Sequence, residues 1–290
     1  MKIHRTRAPK LLVGEGPVWD VAEQALYMVD IVGRTVSRHD PASGATRTWA
    51  VPTVIGSMAL RDGGGALVAL KDGIYALDLE DGSIRPFAIP TGQHPRAQMN
   101  DGKVDRRGRF VVGSGDSVIG DTQPYGALYS VAADGAIGVL DTGIAISNGP
   151  CWSPDDRTFY FSDSLTYSVY AYDYDIATGA VANRRLFADT RELGGIPDGA
   201  TVDADGLIWM AICEGAKVVA FRPDGRVERT IDMPVKLPAS VMFGGPALDL
   251  LYVTSIDPAL LRRPAEEGAG CTFVIEGLGA RGLPEPRFAG

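Results

Sequence analysis

Short apolar runs rich in β-branched and aromatic residues recur along the whole chain, among them Leu26-Tyr27-Met28-Val29, Ala66-Leu67-Val68-Ala69-Leu70, Thr158-Phe159-Tyr160-Phe161 and Leu251-Tyr252-Val253-Thr254. Each is fenced by glycine, proline or aspartate, and almost no apolar spacing of helical period lies between them. Runs of this length with these boundaries predict strands. Because both faces of each run are apolar, the strands are expected to sit between neighbouring sheets, with no face open to water.

The runs belong to a repeating unit. A short apolar strand makes a polar turn into a strongly apolar strand, and a third strand follows, closed by an Asp/Gly turn. The first unit opens on Gly16-Pro17-Val18-Trp19-Asp20, continues over residues 25–30 and 35–40, and closes on Pro41-Ala42-Ser43-Gly44. The fourth opens on Gly149-Pro150-Cys151-Trp152-Ser153, continues over 158–162 and 168–173, and closes on Ile176-Ala177-Thr178-Gly179. Aligning all units on the last large side chain of the opening strand brings Glu15, Gly56, Asn100, Asn148, Asp198 and Ala239 into one register, at spacings of 41, 44, 48, 50 and 41 residues. That period, with about four strands per unit, predicts an all-β six-bladed β-propeller filling residues 1–290 as one domain. A solenoid of similar period would show helices or much shorter rungs. Residues 2–11 are the simplest segment to complete blade six, since closure removes exposed sheet edges.

In a propeller the innermost strands all start at one mouth of the central channel, so the six aligned residues should form a ring there. Four are oxygen donors, while Gly56 and Ala239 are small and are expected to leave a clearing. Any one Asn or Asp at such a junction could simply cap a turn. Four donors in one register point to a shared task. Two carboxylates and two carboxamides without Cys or His make a hard oxygen site, suited to calcium, magnesium or manganese and unlike a closed structural zinc site. His4, His39 and His94 lie outside the register and are expected on the surface or in loops.

Composition narrows the remaining classes. A formal net charge of −8 and no basic run longer than a pair argue against a nucleic-acid partner. No apolar stretch approaches the ~18 residues of a membrane span, and the first residues lack an apolar signal core, so a cytoplasmic location without membrane contact is expected. Cys151, Cys213 and Cys271 form no CxxC pair and are expected as free buried thiols. Gly113-Ser114-Gly115 lacks a nucleophile-elbow pattern, and Asp62-Gly63-Gly64-Gly65 lacks the following helix of a phosphate loop. Tyr167, Tyr170, Tyr172 and Tyr174 alternate at strand spacing, as packing residues do.

Five motifs in order resemble the gluconolactonase and regucalcin (senescence marker protein) family: Gly14-Glu15-Gly16-Pro17-Val18-Trp19, Asn100-Asp101-Gly102-Lys103-Val104-Asp105, Ser147-Asn148-Gly149-Pro150, Pro197-Asp198-Gly199, and Gly282-Leu283-Pro284-Glu285-Pro286-Arg287-Phe288. The resemblance runs from about residue 12 to residue 290. It implies Glu15, Asn148 and Asp198 as ligands of one divalent metal ion, calcium first, with zinc, manganese, magnesium or iron(II) as the others. It implies Asn100 as a substrate contact and a small-molecule lactone as the partner. The implied activity is metal-dependent opening of a sugar-acid (aldono-)lactone, with Asp198 as the catalytic base and Glu15 as the other choice.

Two places depart from the family pattern. An arginine that contacts substrate in many members is Gln98 here, with Arg96 two residues earlier, and a neutral amide replaces a bidentate cation. The segment 113–121, expected as a lid at the same mouth, carries Asp116 where related members have a glutamate pair. Ser162-Asp163-Ser164 and Cys213-Glu214 are expected near the same mouth. Alternative readings are a metal-dependent phosphoester or phosphofluoridate hydrolase and a metal-binding propeller without catalysis.

Overall fold

A computed structural model describes residues 1–118 and 120–290. Six antiparallel sheets of four strands are arranged as a six-bladed β-propeller. The innermost strands of blades one to six are Gly14–Asp20, Ile55–Leu60, Ala97–Val104, Ser147–Trp152, Ile196–Val202 and Pro238–Gly244. In the first five blades the strands run in chain order from axis to rim. Blade six is closed by the N-terminal strand Lys2–Arg5, which pairs with Phe273–Glu276 in the register Lys2↔Glu276 to Arg5↔Phe273. The expected closure is therefore made by the first part of segment 2–11.

The predicted strands are matched closely: Ala25–Asp30, Ala66–Leu70, Thr158–Asp163 and Leu250–Ser255 are the second strands of their blades. Their side chains are almost wholly buried, because each lies between its own sheet neighbours and the adjoining blades. Rim strands such as Thr46–Ala50 and Ala180–Asp189 are mostly exposed. Apolar clusters straddle the seams. Ala59, Leu67 and Ala69 of blade two pack with Met99, Phe110 and Val112 of blade three, while Trp209 and Val218 of blade five pack with Val241, Phe243 and Leu251 of blade six. Burial of this kind binds the blades without direction, and the register within each blade supplies the direction.

Every innermost strand carries a β-bulge. The ladder to its neighbour shifts between Glu15 and Val18, Ile55 and Ser57, Met99 and Gly102, Asn148 and Cys151, Pro197 and Ala200, and Pro238 and Val241. A bulge inserts an extra residue and re-aims the side chains around it. All six bulges fall on the aligned register positions, so the repeat read in the sequence is a repeat of backbone geometry.

The opposite mouth is crossed by the C-terminal segment. Gly282 bridges to Asp203 of blade five and donates its N–H to Leu248 O at 2.8 Å. Arg287 then reaches Asp20 of blade one at 2.5 Å, the Phe288 N–H donates to Leu60 O of blade two at 2.8 Å, and the Ala289 N–H donates to Gly108 O of blade three at 3.1 Å. Beneath this strap the channel wall formed by Gly16, Met58, Asp101, Lys103, Ser240 and Glu285 leaves a cavity of about 10 Å³, at most the room of one water molecule.

Several local expectations need correction. Residues 113–116 are not loop but the end of strand Phe110–Asp116, fully buried, because Gly113 pairs with Leu128 and a side chain there would meet Ser147 Oγ. The remainder of the expected lid begins at Ser117, and its Ile119 lies outside the described residues. His39 is a buried strand residue whose Nδ1 sits 2.9 Å from Thr46 Oγ1, not a surface group. All three cysteines are free, with Cys271 only half-buried. Tyr172 and Tyr174 pack in blade four, as expected, and donate to Asp141 and Asp105, both at 2.6 Å.

Phe288 is fully buried in the seam of blades two and three, edge-on to Phe87 at 5.4 Å. Phe288→Ala should lower unfolding stability by about 3–5 kcal/mol, read as a fall in the denaturant midpoint with the strand signal of the folded baseline unchanged.

Candidate functional site

The bulges explain why a glycine follows Glu15, Asn148 and Asp198. Gly16 and Gly149 adopt φ of +50° and +59°, a left-handed conformation that favours glycine. At Gly199 any Cβ would fall 1.9 Å from Ser240 Oγ. The pairs Glu15-Gly16, Asn148-Gly149 and Asp198-Gly199 are thus single devices, in which the glycine makes the bend and the residue before it is turned to the axis.

Glu15, Asn148 and Asp198 are buried at 5%, 6% and 5% exposure, and Asn100 is half-buried beside them. Asn100 Nδ2 donates to Ser147 O at 2.7 Å and to Asn148 Oδ1 at 3.1 Å. Asn148 Nδ2 donates to Ser164 Oγ at 2.9 Å, and Ser164 Oγ donates to Pro197 O at 2.7 Å. With each amide nitrogen engaged, the carboxamides are fixed in orientation and each keeps its oxygen as an acceptor. Ser164 was placed near the mouth by sequence without a role; its hydroxyl locks Asn148 to blade five.

Gly56 is not a clearing. A Cβ there would lie 2.5 Å from Asn100 Cα and O, so the glycine lets blade two close onto Asn100. Ser57 reinforces this contact by donating to Asn100 O at 2.8 Å. Ala239 is fully buried at its own bulge.

The carboxylates crowd one another. Burial, then the charges of Asp198 and Asp101, push the Glu15 carboxyl well above the usual range, although the Gly16 N–H donates to its Oε2 at 3.0 Å. Burial, then the charge of Asp101, raise Asp198 as well, while its hydrogen bond with Glu15 and the Gly199 N–H act the other way. Asp101 is raised by burial and is opposed by Lys103 and by two backbone N–H groups. Three buried carboxylates thus face one half-buried ammonium, that of Lys103.

That imbalance is the test of whether the residues suit a divalent cation, and they do: buried carboxylates need a countercharge, and these present oxygens alone. Among the described residues no group of three or more His, Cys, Asp or Glu is arranged to hold a metal; the set assembled here has two ring carboxylates and makes up its number with amides.

The substituted positions fall at the same mouth. Gln98 alternates with Asn100 along Ala97–Val104 and shares its half-buried face. Arg96 does not replace the family arginine, because its guanidinium is already engaged, with Nε at 3.0 Å and Nη2 at 2.5 Å from the two Asp116 oxygens, and Nη1 at 3.1 Å from Asp121. Arg96 holds the Asp116 carboxyl down, to about 2, and the Val118 and Gln123 N–H groups donate to it too. Asp116 is therefore an anchor of the loop that follows it and not an acid of the ring. Asp163 similarly accepts from the Ala145 and Ile146 N–H groups, holding the entry to Asn148. Cys213 has its thiol pushed well up by burial and then by Asp198, so no thiolate is present. Glu214 is paired with Arg263 at 2.6 and 2.8 Å.

A carboxyl whose pKa is higher folded than unfolded binds more protons in the folded state, so its stabilising effect is full below the unfolded pKa and is lost as pH rises through the folded one. In metal-stripped protein, Glu15 and Asp198 should therefore make stability fall above the ordinary carboxylate range. Glu15→Gln should flatten that fall, as read by thermal midpoints from pH 5 to 8; equal slopes in both proteins would overturn the pairing.

Comparison with known proteins identifies the family and the fold. The family model described as SMP-30/Gluconolactonase/LRE-like region matches residues 13–257. Regucalcin of Xenopus laevis is 36% identical over 286 residues, covering 96% of this chain and 95% of that protein. The solved structure of a luciferin-regenerating enzyme superposes with a TM-score of 0.90 at 29% identity, covering 99% of each chain. A calcium-binding protein, regucalcin, from Agrobacterium tumefaciens superposes with a TM-score of 0.89 at 28% identity, covering 98% of this chain and 96% of that one. The chain belongs to the SMP-30/gluconolactonase/LRE-like family.

Proposed function

We propose that the chain is a divalent-metal-dependent lactonase that opens a small sugar-acid (aldono-)lactone. The observation that carries this reading is the pair of buried carboxyls Glu15 and Asp198, both raised by burial and crowding, set beside the fixed amides of Asn148 and Asn100 at one mouth of the channel. Membership of a family described by gluconolactonase supports the reaction class, and a regucalcin relative described as calcium-binding supports calcium as the first cation to try.

In this reading Glu15, Asn148 and Asp198 hold the cation, which supplies Lewis-acid polarisation of the ester carbonyl. Asp198 takes a proton from the water that attacks the carbonyl carbon. When the ring C–O bond breaks, Asp198 returns that proton to the leaving oxygen, so lactone and water become one hydroxy acid. Burial raises the proton affinity of Asp198, and a nearby cation would act in the opposite direction. Glu15 is the other carboxylate in reach. Asn100 and Gln98, on one face of one strand, offer amide groups to substrate hydroxyls, and Gln98 does so without the charge of a guanidinium. No helix among the described residues is long and apolar enough to cross a membrane.

Protein stripped by chelator should release no acid from 1,4- and 1,5-aldonolactones and should recover turnover with calcium, manganese, zinc or iron(II). Asp198→Asn should lower kcat by about 10²–10⁴-fold. Metal binding without turnover on any lactone would transfer the site to phosphoester or phosphofluoridate hydrolysis, or to a binding propeller; absence of metal binding would remove the reading altogether.

A further inference from the structure

The motif Asn100-Asp101-Gly102-Lys103 contributes one side chain to the ring, yet its next residue makes contacts that ring membership does not explain. Asp101 is buried, and its two oxygens are used separately. The Gly102 N–H donates to Oδ1 at 2.8 Å, and the Gly149 N–H donates to Oδ2 at 2.9 Å. Gly149 is the left-handed bulge residue that turns Asn148 to the axis. The carboxylate of blade three therefore holds the bulge of blade four in place, immediately after the side chain that blade four presents.

The same strand grips blade five. Lys103 Nζ donates to Ala200 O at 3.0 Å, just beyond the Asp198-Gly199 bulge, and stands 3.9 Å from Glu285 of the C-terminal strap. Lys103 also supplies a countercharge to Asp101. A carboxylate placed one layer behind a cation's ligands does two things: it fixes their direction, and it deepens the local negative potential.

We propose that Asp101 is a positioning residue of the cation site, an outer carboxylate that orients Asn148 through the Gly149 N–H without serving as a ligand. This rests on the cation-binding reading of the ring given above. It extends that reading to a residue that acts through others.

The test measures calcium and manganese affinity of the whole chain by titration calorimetry, well below its thermal midpoint. Wild type, Asp101→Asn and Asp105→Asn are compared. Asp105 is an equally buried aspartate of the same hairpin, bonded to the Arg107 and Arg109 N–H groups and to Tyr174 at its far turn. Asp101→Asn should weaken metal binding about 10- to 100-fold. Asp105→Asn should lower the thermal midpoint and leave the metal Kd within about twofold of wild type. Should Asp101→Asn fail to fold, Asp101→Ser, which sets no amide N–H₂ against the Gly149 N–H, is measured to the same threshold. A folded Asp101 variant that binds metal as tightly as wild type, or weakening of the same size in Asp105→Asn, overturns the proposal. Loss of all metal binding in wild type would instead remove the cation-binding reading.

Discussion

Six strands that converge on one axis cannot all present full side chains to it, and this crowding governs the rest of the molecule. The strands answer it with a bulge apiece. Each bulge brings one side chain toward the axis and requires a compact neighbour: Gly16, Gly149 and Gly199 after ring residues, and Gly56 in direct contact with Asn100. Such space admits short polar groups but little that would neutralise them. Glu15, Asp198 and Asp101 have raised proton affinities chiefly because they are buried, with Lys103 opposing the shift at Asp101.

The ring was legible before any coordinates because the bulge is a local event repeated at every blade. Glu15, Asn100, Asn148 and Asp198 could be aligned from the large side chain four residues on, and strands such as Ala25–Asp30 could be bounded from their turn residues. What escaped depends on segments far apart in the chain. Nothing near Arg96 announces that its guanidinium closes on Asp116, and nothing near Gly56 distinguishes an empty place from a tight approach to another blade. Residues 113–116 read as loop because two glycines stand among them, yet those glycines are where blade three admits Ser147 and Ile146. Asp101 stood in a motif already singled out, but its work appears only when Gly149, 48 residues later, is seen to donate to it.

Holding like charges together has a thermodynamic character distinct from holding apolar seams together. The seams stabilise each blade against its neighbours at any pH, whereas the ring favours the fold most where its carboxyls are protonated, and less as pH rises. Substitutions at Phe288 or Trp209 therefore act on a stability that is the same at every pH, and substitutions at Glu15 or Asp198 on one that varies with pH.

The strap at the far mouth gives the molecule a direction. With Glu285 beside Lys103 and Phe288 sealed between two blades, the far end of the channel narrows to a cavity of about 10 Å³. The two ends of the axis are therefore unlike: one carries the ring, and the other is crossed by residues 282–289, so that loosening this strap would part the blades it joins without touching the ring itself.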